Sequence, residues 1–272
     1  MSTFWQRLLS GVVYVVLVIA GIMVSPIFFG VLFGIVTMLA VREYHHLMGS
    51  LRVTTIGATL AAGYLFATIW CLFQVQTLDI MEFAYMQCAY VGIIFVLLLA
   101  ELWLKAADPI RNWGNLLVGQ VMIALPLSAM NIILDQSKYI LLALFITIWV
   151  NDTFAYCVGV LTAKRKNGNH KMFPRVSPKK SWEGLFGGLF FSLLAGYVFY
   201  LVGWMDSLPK ALLFTAVIAV AGTLGDLMES LMKRTIGVKD SGRFMPGHGG
   251  VLDRFDSMLL AAPAAVLLLL LW

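Results

Sequence analysis

An all-α polytopic membrane protein is predicted by three features of this sequence. Of its 272 residues, 61% are hydrophobic and only 12% charged, whereas soluble domains carry roughly a quarter charged residues. Nine apolar runs approach the length of about 20 residues that a spanning helix needs. The lysines and arginines then fall almost wholly on one side of the implied topology. A mean hydropathy of +0.89 agrees.

The predicted helices cover 6–24, 27–47, 56–74, 82–101, 115–134, 139–162, 184–203, 210–230 and 257–272. The first run has no small-residue cleavage site behind it, so it reads as a spanning helix and not as a removed signal. Ser25-Pro26 separates it from the second, because proline lacks an amide donor and disfavours helix at the residue before it. The second run ends in Glu43, His45 and His46, which read as its interfacial end. Trp5, Trp103 and Trp113 read as interface anchors. In the sixth run, Asn151-Asp152-Thr153 and Tyr156 interrupt an apolar stretch. There Asp152 either bonds a neighbouring helix or lines a polar cavity. The whole is read as one membrane domain over 1–272, with an N-terminal helical part, 1–138, and a C-terminal catalytic part, 139–272.

Nine helices with a cytoplasmic N-terminus and an outside C-terminus leave only Lys138 and Lys210, of 19 lysines and arginines, on the outer side. Both long polar loops then face the cytoplasm, and the net charge of +5 belongs to basic inner loops that attract anionic lipid headgroups. A pI near 9.1 also suits nucleic-acid binding, but no soluble basic domain is present to do it. Cys71, Cys88 and Cys157 lie in apolar runs without CxxC spacing, so they read as inert thiols.

Chemistry concentrates where the chain turns polar. The segment SLMKRTIGVKDSGRFMPGHGGVLDRFDS gathers Lys233, Arg234, Lys239, Asp240, Arg243, His248, Asp253, Arg254 and Asp256 with five glycines. Cations, carboxylates and permissive backbone at this density suit phosphate handling with a divalent metal. Asp253 and Asp256 are three apart and would share a helix face. Upstream, GDLMES sets Asp226, Glu229 and Ser230 at i, i+3 and i+4. Ionisable groups in spanning helices mark polar cavities, so Asp226, Asp253 and Asp256 are the expected Mg²⁺ ligands, with Glu229 a lesser candidate. Simple pairing with Arg234 or Arg254 is the structural alternative. Gly249 and Gly250 would bring backbone amides close to phosphate, and His248 would donate to it or act as acid or base. In the other polar loop, Lys164, Arg165 and Lys166 read as lipid anchors. Ser177, Lys179, Lys180, Ser181 and Trp182 stand directly before a glycine-rich helix start, where terminal amides favour anions, and read as substrate-binding.

These residues resemble a known family. The stretch from Ser230 to Asp256 is similar to the signature of phosphatidate cytidylyltransferases, also called CDP-diacylglycerol synthases. Ser230, Lys233-Arg234, Lys239-Asp240, His248-Gly249-Gly250 and Asp253-Arg254-Phe255-Asp256 fill it without departure, over about 27 positions. Gly225-Asp226, the Ser177–Gly184 segment and Asp152-Thr153-Phe154-Ala155-Tyr156 also resemble family elements, whereas the N-terminal half is similar only in hydropathy. The resemblance implies that CTP and phosphatidate give CDP-diacylglycerol and pyrophosphate. It further implies Mg²⁺, a homodimer and a bacterial inner-membrane location; Asp256 would complete the Mg²⁺ shell or hold a second cation. Phosphatidate already carries an ionised nucleophile, so no dedicated base is expected. A CDP-alcohol phosphotransferase would need a run of aspartates spaced by three, which is absent. A transporter lined by Asp152 and Asp226 does not account for long charged loops.

Overall fold

The computed structural model describes residues 3–104, 106–164, 168–242 and 249–272. In chain order it consists of α1 (Thr3–Met23), α2 (Pro26–Leu47), α3 (Arg52–Trp70), α4 (Ile80–Leu104), α5 (Pro109–Val118), α6 (Leu125–Gln136), α7 (Lys138–Ala163), β1 (Lys171–Phe173), β2 (Ser177–Ser181), α8 (Trp182–Leu201), α9 (Leu208–Thr235), α10 (Leu252–Phe255) and α11 (Met258–Leu270). Cys71–Val75 continues α3 as a π turn, and Gly119–Ala124 joins α5 to α6 in the same way. The protein is therefore an all-α polytopic membrane protein. Among the described residues, seven helical stretches are long and apolar enough to cross a bilayer: α2, α3 with its π turn, α4, α5 through α6, α7, α8 and α9. The apolar part of α1, Leu9–Met23, is shorter, and α11 has 13 residues.

Helix starts follow local chemistry. Ser25 accepts from the Phe28 amide at 3.1 Å, with Pro26 filling the first helical position, where its missing N–H is not needed. Asp108 and Pro109 open α5 in the same manner, and Ser137 caps α7.

Two compact units result. The first comprises residues 1–135 and 240–255. Its core stacks Phe29 on Phe33 at 4.5 Å between ring centres and sets Phe66 beyond them. Polar ties between helices replace the hydrophobic drive that lipid removes. Gln120 donates to the Ala58 carbonyl at 2.8 Å and accepts from the Tyr90 hydroxyl at 3.1 Å. Phe255 of α10 meets the edges of Tyr14 and Phe33, and the Tyr14 hydroxyl donates to the Arg254 carbonyl at 3.2 Å. That anchors α10 against α1 and α2.

The second unit comprises residues 136–239 and 256–272. Along α8, the small residues Gly184, Gly188, Ser192 and Gly196 recur every fourth position, and all are buried. A Cβ on Gly188 would stand 2.8 Å from the Asn151 carbonyl of α7, and one on Gly196 would stand 2.9 Å from the Ala211 carbonyl of α9. Small residues thus admit both neighbours to near-backbone distance. Phe154 and Phe191 stack at 3.7 Å in the same α7–α8 seam.

Between the predicted helices 139–162 and 184–203, where hydropathy predicts only a polar loop, part of the chain forms an antiparallel hairpin, β1 with β2, pairing Lys171 with Ser181 and Phe173 with Ser177. The hairpin is tied to the start of α8. The Trp182 amide donates to the His170 carbonyl, and His170 Nδ1 lies 2.6 Å from Glu183 Oε1.

Candidate active site

The second unit carries the densest chemistry, built on the last three turns of α9. Asp226, Glu229, Ser230 and Lys233 recur at i, i+3, i+4 and i+7, so they share a face. Glu229 is fully buried, and Lys233 on the next turn neutralises it in an ion pair. An isolated charge in such surroundings would be strongly disfavoured. The Ser230 hydroxyl donates to Asp226 Oδ1 at 3.2 Å and fixes that carboxylate.

Asp256 completes the group. One carboxylate oxygen from each of Asp226, Glu229 and Asp256 lies within 4.8 Å of the others. Gly225 explains how this becomes possible. A Cβ there would stand 2.8 Å from the Asp256 carbonyl and 3.0 Å from that of Ser257, so only glycine lets the 256–257 backbone approach α9 so closely. Burial, followed by the charges of Asp226, Glu229 and Asp152, pushes the Asp256 carboxyl well above the usual carboxylate range. Such crowding of hard oxygen donors suits a divalent cation, which would offset their mutual repulsion.

Beside the acidic cluster lies a cavity of about 350 Å³, lined among others by Asp152, Tyr156, Ser177, Lys179, Lys180 and Asp226. β2 places Lys180 so that its Nζ is 2.8 Å from Asp226 Oδ2 and 3.2 Å from the Thr223 carbonyl. Ser181 ends β2 and caps α8, its hydroxyl accepting from the Gly184 amide at 3.1 Å. Asn151 donates to the Thr223 hydroxyl at 3.0 Å and ties α7 to α9 at the cavity wall. Arg234 is engaged by backbone: Nε donates to the Val176 carbonyl at 3.3 Å and a terminal nitrogen to that of Val238 at 2.8 Å. Lys239 is exposed beyond the end of α9.

Asp253 and Arg254 belong to the first unit. Asp253 Oδ2 accepts from the amides of Ser241 and Gly250, both at 2.8 Å. Gly249 has φ +83°, in the region that glycine alone enters freely. His248 and Arg243 lie outside the described residues, as do Lys105, Arg165 and Lys166.

The sequence makes Glu43 only part of the interfacial end of the second predicted helix, whereas the structure gives it specific partners. Near the end of α2, it accepts from the amides of Val251 and Leu252, each at 2.9 Å, and from the Ser241 hydroxyl at 3.2 Å. The available signal was an acidic residue in an apolar helix, which seldom stands there without a partner.

Comparison with known proteins fits this geometry. The model of a family described as the cytidylyltransferase family matches residues 5–272. A phosphatidate cytidylyltransferase of Staphylococcus haemolyticus is 45% identical over 137 residues, which cover 50% of this chain and 50% of that protein. That of Staphylococcus epidermidis strain RP62A is 46% identical over 134 residues, 49% of each chain. That of Staphylococcus aureus strain COL is 45% identical over 133 residues, 48% of this chain and 49% of the relative. The chain thus spans about half the length of the curated relatives it matches.

Proposed function

Because the chain belongs to the cytidylyltransferase family, we propose that it transfers the cytidylyl group of CTP to phosphatidate and releases pyrophosphate. The reaction places it in phospholipid synthesis, at the cytoplasmic face of a bacterial inner membrane, and the family resemblance adds a homodimer. A phosphatidate oxygen bonds to the α-phosphorus of CTP as the bond from that phosphorus to the bridging oxygen of the departing pyrophosphate breaks. Such transfers depend on positioning and charge stabilisation more than on covalent help from protein.

One juxtaposition carries this reading: the carboxylates of Asp226, Glu229 and Asp256 gather beside the cavity that Lys180 enters. These three residues would hold Mg²⁺. When bound, the ion supplies positive charge against the nucleotide phosphates and the leaving group. Lys180, paired with Asp226, would turn to a substrate phosphate, and Lys179 with Ser177 would hold the rest of that group. Asp152 lines the same cavity and limits how much negative charge it accepts. Lys233 stays paired with Glu229 and offsets the charge of that buried acid. A role for Asp253 at the ion rests on the sequence argument, and His248 is assigned as a phosphate donor on the same ground.

The direct test supplies purified protein with phosphatidate, Mg²⁺ and CTP labelled in its α-phosphate. Label should pass into the organic phase with one pyrophosphate released per lipid. Folded protein that leaves all label in the aqueous phase would overturn the assignment. Intact CTP accumulating inside vesicles would point to transport instead.

A further inference from the structure

The polar segment of the first unit has a neck, and a residue remote in sequence closes it. Ser241 and Gly242 stand on one side of the neck, and Gly249 through Asp253 on the other. Two carboxylates staple the sides together. Asp253 Oδ2 takes the amides of Ser241 and Gly250. Glu43 Oε1 takes the Val251 amide, while Oε2 takes the Leu252 amide and the Ser241 hydroxyl. The same hydroxyl accepts from the Asp253 amide at 3.3 Å, so Ser241 links the two acids. Each donor in this network meets an acceptor.

The backbone is shaped for this contact. A Cβ on Gly242 would stand 2.8 Å from Glu43 Oε1 and 3.3 Å from the Gly250 Cα. Gly250 likewise leaves no room for a Cβ between Glu43 and Ser241. Only an acceptor at both oxygens satisfies the arrangement. Glutamine would turn an NH₂ toward one of the donors it must accept from.

From this we propose that Glu43 is a positioning residue for the reaction: through Ser241 and the Val251–Leu252 amides it sets the conformation of the segment carrying Asp253 and Arg254. The inference rests on the cytidylyltransfer reading for its effect on turnover, but not for the clamp itself. A helix of the N-terminal half thus supplies a working part to a signature that lies about 200 residues later.

The experiment combines two readouts on detergent-solubilised, full-length protein. In Glu43→Gln, amide deuterium exchange should quicken over 249–255 and stay at the wild-type rate in α3 and α4. Turnover per folded molecule should fall on the order of 100-fold, carried by kcat more than by KM for CTP. Glu43→Asp, an acceptor at both oxygens, should recover part of that loss. Ser241→Ala, which breaks only the link between the acids, should exchange faster over the same residues with a loss of about 10-fold, and it provides the test if Glu43→Gln folds poorly. Unchanged exchange over 249–255, or Glu43→Gln turnover within about threefold of wild type, would overturn the proposal. If wild type forms no labelled lipid yet the exchange effect stays local, the clamp stands and the cytidylyltransfer reading falls.

Discussion

Lys180 Nζ lies 2.8 Å from Asp226 Oδ2, joining the strand β2 to the membrane helix α9. The two side chains are 24% and 29% exposed, so water still reaches the pair. An accessible ion pair of this kind contributes little to stability, roughly 0–1 kcal/mol. Its value is chemical, since it holds a cation beside the acidic cluster before any phosphate arrives.

Lys180→Met should therefore leave the thermal midpoint in detergent nearly unchanged and lower kcat/KM for CTP on the order of 100-fold. Lys180→Arg should retain more activity than Lys180→Met. Steady-state kinetics beside a thermal melt would check both. A large fall in melting with normal turnover would reverse the assignment.

Gly225→Ala should be disruptive for a small change. Its methyl would meet two carbonyls of the 256–257 backbone, and overpacking of this kind costs about 1–3 kcal/mol. Because the clash also moves Asp256, the variant should lose its stabilisation by Mg²⁺. Thermal melts with and without Mg²⁺ measure both effects.

Asp256 gives a pH dependence with a defined sign. Its carboxyl is raised in the folded chain, so folding favours the protonated form. Without divalent cation, this group subtracts stability as pH climbs from the ordinary carboxylate range through its raised value. In chelator, Asp256→Asn should melt above wild type at about pH 8, with the gap closing toward about pH 4. Saturating Mg²⁺, at 100 times its dissociation constant, should stabilise wild type by about 2.7 kcal/mol and Asp256→Asn by much less.

Asp253→Asn should abolish labelled lipid formation while the protein stays folded in detergent. Asparagine keeps the size of the side chain but loses charge at the acceptor for Ser241 and Gly250. Near wild-type turnover at saturating Mg²⁺ would remove Asp253 from the site.

Hydropathy made the membrane class readable, because apolar runs such as 27–47 and 139–162 coincide with α2 and α7 almost to the residue. The family was readable from the spacing between Ser230 and Asp256. Proximity was harder. Asp226 and Asp256 are 30 positions apart, and only the small Gly225 hinted that their backbones meet. The hairpin was hidden by its shortness and by Pro178, which weakens any strand pattern. Glu43 was hidden for another reason: its partners are mainly backbone amides, which leave no trace in side-chain spacing.

Ser181 belongs to two elements at once, the last residue of β2 and the cap of α8. No linker separates Lys180 from the first turn of α8, a helix long and apolar enough to cross a bilayer, so the two have no slack between them. A tug on the lysine is felt by the helix, and a tilt of the helix re-aims the lysine. On the proposed function, substrate grip and membrane anchorage are mechanically the same joint, and a few inserted residues at 181–182 would uncouple them.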